Sequence, residues 1–179
     1  MISGKYVGLR AIEKEDLPQL REWRNNPDLR KFFREIAEIS KTNQEAWFES
    51  INSKNSPHKM FAIIKLDTNE LMGACGLCYI DWINRSADFS IYLGYNNLYI
   101  DDVYAIEAAK IMRNYGFDIL NLHRLWAEIY TLDAQKKVFF NTLGFKLDGE
   151  LRETYWYDKQ WYNSLFYSLL DHETKKEEL

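Results

Sequence analysis

The residues whose types and spacing most suggest chemistry are two cysteines, Cys75 and Cys78, in the sequence Cys-Gly-Leu-Cys. A pair spaced in this way can form a redox disulfide or half of a zinc site. The flanking residues are apolar and indicate a strand, in which residues three apart point to opposite faces. The chain has no other cysteine and only three histidines, His58, His123 and His172. We therefore expect both thiols to pack as small apolar groups, and we expect no bound metal.

A second candidate is the phrase Trp23-Arg24-Asn25, which lies within a helical pattern. An arginine guanidinium can bind a phosphate through two parallel hydrogen bonds. Alternatively, Trp23 anchors its helix to the hydrophobic core. The sequence leaves both interpretations open.

Apolar periodicity predicts one domain over residues 1–170, followed by a charged tail at 171–179. The predicted class is mixed α/β (α+β) with a largely antiparallel sheet. A capping box formed by Thr42 and Glu45 is expected to open the third helix, and Gly144 to end the last one. The expected order is strand 6–12, helix 14–25, a short helix to 33, helix 44–53, strands 60–66, 71–80 and 87–93, helix 102–120, strand 125–131, helix 134–143 and a hairpin from 145 to 170.

Composition limits the classes of function. The chain has 179 residues, of which 46% are hydrophobic and 28% charged, as in globular proteins. A formal net charge of −4 argues against nucleic acid as the main partner. No segment has the roughly 20 consecutive apolar residues of a membrane span, and no signal-peptide core is visible. We therefore expect a cytoplasmic protein without a nucleic-acid or membrane partner.

Several phrases, in this order along the chain, together resemble the GNAT superfamily of acyl-CoA N-acetyltransferases. The phrases are LRA at 9–11, EDL at 15–17, NLHRL at 121–125, Asp133 and LGF at 143–145. They are most similar to the Rim-type branch, which acetylates protein N-terminal amines. The resemblance covers the chain except the charged tail. It implies the GNAT fold, with a sheet that splays between its central strands at 87–93 and 125–131.

The resemblance also implies a cofactor site for acetyl-CoA as co-substrate. The pantetheine arm would pair with backbone groups in the gap between the splayed strands. The pyrophosphate would bind N–H groups at the start of the long helix, where the helix dipole favours an anion. The cofactor-binding residues implied are Ile91, Tyr92, Leu93, Val103, Ala105, Ile106, Asp133 and Phe140.

The pyrophosphate loop departs from the family pattern. The family's glycine positions fall on Asp101, Val103 and Ala105. Valine resists positive φ, and each carboxylate about 4 Å from a phosphate would cost on the order of 1 to 4 kcal/mol. Asp101 and Asp102 are, however, good caps for the helix that follows. The position that often carries a tyrosine acid falls on Phe140, which has no proton to donate.

The resemblance places the catalytic base at Asp88, with Glu128 as the second candidate. Either carboxylate could take the proton that an ammonium must lose before acetyl transfer. Tyr155 is a candidate for shaping the acceptor pocket. The expected acceptor is a primary amine, either a protein N-terminus or a small molecule.

Three further hypotheses stay open. The phrase EWRNNP at 22–27, followed by Trp47 and Phe48, resembles the branch that acetylates amino sugars linked to nucleotides, which would make Trp23, Arg24 and Asn25 substrate-binding residues. The altered loop and Phe140 also fit a catalytically impaired member that serves as a binding module. Finally, the aromatic C-terminal hairpin suggests a homodimer, because sheet edges pair readily.

Overall fold

The computed structural model describes residues 1–174, which form one eight-stranded sheet flanked by helices. This confirms the predicted class, a mixed and mostly antiparallel sheet. The strands are β1 Ile2–Ser3, β2 Val7–Ala11, β3 Lys59–Lys65, β4 Leu71–Asp81, β5 Ser86–Leu93, β6 Arg124–Tyr130, β7 Lys146–Tyr157 and β8 Gln160–Leu170. The helices are α1 Leu17–Asn25, α2 Pro27–Arg30, α3 Lys41–Asn52, α4 Tyr104–Asn114, α5 Ala134–Thr142 and α6 Asp171–Thr174.

The strands follow the order β1-β2-β3-β4-β5-β6-β8-β7, and β5 and β6 form the single parallel pair of this sheet. Their pairing covers only Ser86–Asp88 with Arg124–Trp126. Beyond Asp88 the two strands separate, as the resemblance implies. Alternate residues of β5 direct their backbone groups to this edge, and the N–H of Leu93 reaches the carbonyl of Tyr99 at 2.8 Å. The backbone groups of Ile91 and the carbonyl of Phe89 therefore face the gap.

Helix α4 packs against the sheet through small side chains. Ala105, Ala108 and Ala109 are fully buried, which lets the helix approach the strands closely. Glu107, on the same helix, accepts hydrogen bonds of 2.7 Å from the backbone N–H groups of Lys5, Tyr6 and Val7. One carboxylate thus fixes the start of β2 to α4. This contact was not predicted from the sequence.

Two predicted helix boundaries need correction. The third helix begins at Lys41, and its cap is Ser40, whose hydroxyl accepts the N–H of Asn43 at 3.1 Å, so the predicted Thr42 capping box is wrong. The fourth helix does not run from 102 to 120. It is α-helical over Tyr104–Asn114 and continues as a π-helical turn over Tyr115–Ile119. The predicted stop at Gly144 is confirmed by its φ of +85°.

The C-terminal hairpin is more exposed than expected. Alternation in the sequence predicts an apolar face formed by Phe145, Leu147, Leu151, Tyr155 and Tyr157. Among the residues of β7, however, only Tyr155 is buried, while Leu147 and Leu151 are each 52% exposed. The strand lies at the edge of the sheet.

The predicted charged tail begins with the short helix α6, and residues 175–179 lie outside the described part of the chain.

The cysteines are free, as expected, and Cys75 is buried while Cys78 is half-buried. Burial raises the pKa of the Cys78 thiol to about 12, so it is not a ready nucleophile. Among residues 1–174, no cluster of three or more His, Cys, Asp or Glu side chains could hold a metal ion. None of the helices described is long and apolar enough to cross a membrane.

Candidate active site

The fork between β5 and β6 brings together the two carboxylates that the sequence indicated. Asp88 is the last residue of β5 paired with β6, opposite Trp126, and Glu128 follows two residues later on the same face of the sheet. Both side chains line one cavity. The parallel pairing thus sets the two carboxylates side by side where the strands begin to separate.

An arginine joins these carboxylates. Arg34 Nη1 lies 2.6 Å from Asp88 Oδ2, and Arg34 Nε lies 3.0 Å from Glu128 Oε2. The other oxygen of Glu128 accepts the hydroxyl of Ser164 at 2.6 Å. Burial raises the pKa of Asp88 above its ordinary value, and the charge of Arg34 only partly offsets that effect. Asp88 is therefore a carboxylate whose basicity depends on Arg34.

The cavity has a volume of about 500 Å³. Its charged lining consists of four carboxylates and three cations: Glu35, Glu38, Asp88 and Glu128, with Arg24, Arg34 and Lys136. Arg24 lies over the ring of Phe33 at 4.3 Å, and its buried Nε has no hydrogen-bond partner among the described residues. A cavity of this size fits a small charged molecule or the end of a chain.

Lys136 enters the cavity from the first turn of α5. Asp133 caps this helix by accepting the N–H of Lys136 at 3.0 Å, and it also accepts the hydroxyl of Tyr99. Burial lowers the pKa of Lys136, against the opposing charges of Asp133 and Asp88. Asp133 is itself only 2% exposed. In this structure its contacts are those of a helix cap.

The start of α4 is occupied by an acidic side chain. Asp101 accepts the N–H of Tyr104 at 3.1 Å and that of Ala105 at 2.6 Å, as the predicted cap. The N–H groups of Val103 and Ile106 have no acceptor among residues 1–174. The backbone gap beside β5 fits a strand-like pantetheine arm. At the helix start, a pyrophosphate would find two N–H groups free and two held by Asp101.

Most of the other residues that the resemblance assigns to the cofactor have buried side chains. The side chains of Ile91, Leu93 and Ala105 are buried in the core, so only their backbone can face a cofactor. Tyr92 is buried and lines the cavity, with its ring edge-on to Phe33. Val103 is 45% exposed. Phe140 is 1% exposed and packs among aromatic rings, namely Phe89, Phe139, Phe145 and Tyr167.

Three predicted substrate residues do not line the cavity. A Cβ added to Gly94 would lie 1.9 Å from Trp23 Cδ2, so Trp23 packs directly on the end of β5. Asn25 holds the backbone of Ile39 through two hydrogen bonds, of 2.7 and 2.9 Å. The hydroxyl of Tyr155 donates to the carbonyl of Lys31 at 2.9 Å. Of the predicted acceptor residues, only Arg24 reaches the cavity.

Sequence reasoning missed Arg34 and Lys136. Arg34 lies in the irregular segment 31–40, where no periodic pattern assigns a direction to a side chain. Lys136 lies in the first turn of a helix, where a lysine ordinarily points to solvent. The pair Phe32-Phe33 before Arg34 was the only signal that this segment packs against the protein.

A sheet that opens between β5 and β6 beside a cavity can be compared with known proteins. The family model for the acetyltransferase (GNAT) domain matches residues 7–146. The chain belongs to this family. As a GNAT acetyltransferase it shares 29% identity over 147 residues with the uncharacterised N-acetyltransferase p20 of Bacillus licheniformis, covering 81% of this chain and 82% of that protein.

Other proteins similar to this chain are named as spermidine acetyltransferases. The chain is 27% identical over 174 residues to the spermidine N(1)-acetyltransferase of Escherichia coli K12, covering 97% and 90% of the two chains. The fold is also that of the Vibrio cholerae spermidine N-acetyltransferase solved with CoA and spermine, with a TM-score of 0.84 at 23% identity. That match covers 94% of this chain and 97% of the other.

These comparisons confirm the GNAT family but not the Rim-type branch that the sequence phrases suggested. The phrases NLHR at 121–124 and LGF at 143–145 lie at the entry to β6 and at the end of α5. Both are positions that build the sheet and its flanking helix. Such residues report the fold better than they report the acceptor.

Proposed function

We propose that this GNAT acetyltransferase transfers an acetyl group from acetyl-CoA to a primary amine of a small polycation. The observation that carries the proposal is the pair of carboxylates, Asp88 and Glu128, at the fork between β5 and β6, beside a cavity. A pair of carboxylates binds an ammonium and can accept its proton. Polyamines come first among the acceptors, because two relatives are named spermidine acetyltransferases.

Acetyl-CoA would lie with its pantetheine arm along the open edge of β5 and its pyrophosphate near the start of α4. Bound there, it supplies the thioester that reacts with the amine. The free backbone groups of Ile91 and the carbonyl of Phe89 would orient the arm, and the N–H groups of Val103 and Ile106 would hold the pyrophosphate. Asp101 competes for this place, so we expect the affinity for CoA to be modest.

Asp88 is the residue we assign to proton transfer. The residue is 6% exposed, and burial raises the pKa of its carboxylate, which brings it closer to the pH at which an ammonium must be deprotonated. Glu128 would help to hold the ammonium. Lys136, whose pKa burial lowers, lies in the same cavity and can donate a proton to a leaving thiolate in place of the absent tyrosine.

One observation favours a second acceptor class. Arg24 lines the cavity, and its buried Nε is without a partner in the described residues. Such a guanidinium would suit the phosphate of an amino sugar linked to a nucleotide.

The acceptor class is decided by comparing amines at equal concentration with acetyl-CoA present. The panel is spermidine, a short peptide with a free N-terminus, and a nucleotide-linked amino sugar, with acetylated products identified by mass spectrometry. Spermidine acetylated in excess of the other two supports the proposal. Preference for the amino sugar, abolished in Arg24→Ala, would replace it with the second acceptor class.

We further propose self-association through the C-terminal hairpin. Leu147, Leu151, Trp156 and Trp161 are each more than half exposed on the edge pair β7–β8. A dodecameric structure is known for the Vibrio cholerae enzyme. Light scattering of the intact chain and of Trp161→Glu tests this, and a monomer for the unaltered chain would contradict it.

A further inference from the structure

A cation from the protein already occupies the proposed ammonium site. The Arg34 guanidinium contacts Asp88 at 2.6 Å and Glu128 at 3.0 Å, and it lies over the ring of Trp126 at 5.8 Å. Two carboxylates and an aromatic face are what an alkylammonium would also bind. The side chain of Arg34 is 42% exposed, whereas that of Asp88 is 8% exposed. Arg34 therefore reaches the site from the solvent side.

The segment that carries Arg34 is anchored on both sides of that residue, with Phe32 and Phe33 packed against the core just before it. Residues 31–40 form no helix or strand. The carbonyl of Lys31 accepts the Tyr155 hydroxyl at 2.9 Å, and Ile39 is bonded on both backbone groups to Asn25. Between these anchors, Ile36 is 60% exposed. The half-exposed side chain of Arg34 can thus swing away from the two carboxylates while the segment stays attached.

We infer that Arg34 occupies the place of the acceptor ammonium and must leave Asp88 and Glu128 when the amine binds. The inference rests on the proposed function, and it names Arg34 as the residue that sets affinity for the amine. Its departure would leave four carboxylates against two cations, Arg24 and Lys136, in the cavity lining. The cavity would thereby become selective for a polycation, which offers one ammonium for Asp88 and another for Glu35 or Glu38.

Competition between Arg34 and the amine predicts tighter binding once the guanidinium is removed. Spermidine, without acetyl-CoA, is titrated by calorimetry at pH 8.5 into the unaltered protein, Arg34→Ala and Arg34→Lys. We expect about tenfold tighter binding to Arg34→Ala, because binding no longer breaks two charge-assisted hydrogen bonds. Arg34→Lys should bind spermidine at an affinity between those of the other two proteins. Weaker or unchanged binding in Arg34→Ala, or binding to neither protein, would overturn the inference.

A second measurement reports on Arg34 itself and does not depend on turnover. Phenylglyoxal modification of arginines is mapped by mass spectrometry with and without spermidine. Arg152, which is exposed and makes no ion pair in the described part of the chain, serves as the internal control. We expect spermidine to raise the modification rate of Arg34 at least threefold and to leave that of Arg152 unchanged. A rate for Arg34 that falls or stays the same would contradict displacement, whether or not spermidine is acetylated.

Discussion

The carboxylate of Asp101 accepts a hydrogen bond of 2.6 Å from the backbone N–H of Ala105. It accepts a second, of 3.1 Å, from Tyr104. These N–H groups belong to the turn that the GNAT resemblance assigns to a pyrophosphate. The protein thus carries its own anion at the start of α4, and the charge that stabilises the helix opposes the cofactor.

Asp101→Asn is expected to strengthen CoA binding about tenfold. An asparagine keeps one of the two cap hydrogen bonds and removes a negative charge that would lie beside the pyrophosphate. Isothermal titration with CoA measures the effect. Asp102→Asn is the matched control, because Asp102 is exposed and accepts no hydrogen bond among the described residues. Equal CoA affinities for Asp101→Asn and the unaltered protein would show that the pyrophosphate does not bind at this turn.

The pH dependence of acetyl transfer is predicted to follow Asp88. Burial raises its pKa, and the charge of Arg34 lowers it again in part. The rate should rise as pH increases through the raised value, because only the ionised carboxylate accepts a proton. In Arg34→Ala the pKa of Asp88 should be higher still, which moves the rise to higher pH.

The measurement is kcat/KM for one amine against pH in both proteins. Because the amine is the same, its own ionisation contributes equally to the two profiles and cancels in their difference. Profiles that coincide would mean that Asp88 is not the group titrating.

The ion pair between Arg10 and Asp16 is expected to stabilise the fold. Two hydrogen bonds of 2.6 and 2.8 Å join the side chains, and Asp16 is 7% exposed. Arg10→Ala leaves a buried carboxylate unpaired and should lower the free energy of unfolding by about 2 kcal/mol, less than for a fully buried pair because Arg10 is partly exposed. Arg124→Ala, which breaks the exposed pair with Asp148, should cost at most about 1 kcal/mol. Urea unfolding of both variants tests this, and equal losses would contradict it.

The same pair predicts a pH effect on stability. Burial alone would raise the pKa of Asp16, but hydrogen bonds from Arg10 and the Glu13 N–H, with the charge of Arg10, hold it below the ordinary value of 3.8. The contribution of ionised Asp16 to the free energy of unfolding is therefore fully present above pH 3.8. It is lost as the pH falls through the lower pKa that Asp16 has in the folded state. Asp16→Asn should show a shallower loss of stability below that pH.

Tyr155→Phe is expected to loosen the segment 31–40. The substitution removes the hydroxyl that holds Lys31 and keeps the stacking on Tyr130, whose ring centroid is 3.9 Å away. Loss of one hydrogen bond should speed local amide exchange by about three- to tenfold. Hydrogen exchange read by mass spectrometry measures it. Tyr157→Phe, on the same strand, is the matched control, and equal exchange in the two variants would contradict the assignment.

The sequence was enough to predict the order of elements and the placement of Asp88 and Glu128 on neighbouring strands, while their catalytic roles stay predictions. Alternation along two strands sets a residue's face, and pairing of the strands then brings the two carboxylates together. The sequence could not predict where the side chain of Arg34 points, because the path of segment 31–40 depends on tertiary contacts with Asn25 and Tyr155. Those two residues were predicted to contact substrate, and their contacts are instead with the segment's backbone.

Helix ends were harder to predict than helix positions. Ser40 and Thr42 are both good caps, and only the tertiary path of the chain selects Ser40. The π-helical turn at Tyr115–Ile119 likewise has no signal in the apolar pattern.

The central claim is acetyl transfer from acetyl-CoA to an amine with Asp88 as the base. It is tested most directly by following thiol release from acetyl-CoA with spermidine at pH 8, for the unaltered protein, Asp88→Asn and the exposed-carboxylate control Asp148→Asn. We predict release that depends on spermidine, a loss of about 100-fold or more in Asp88→Asn, and no loss in the control. No spermidine-dependent release by the unaltered protein at millimolar concentrations, or equal rates in Asp88→Asn, would contradict the account.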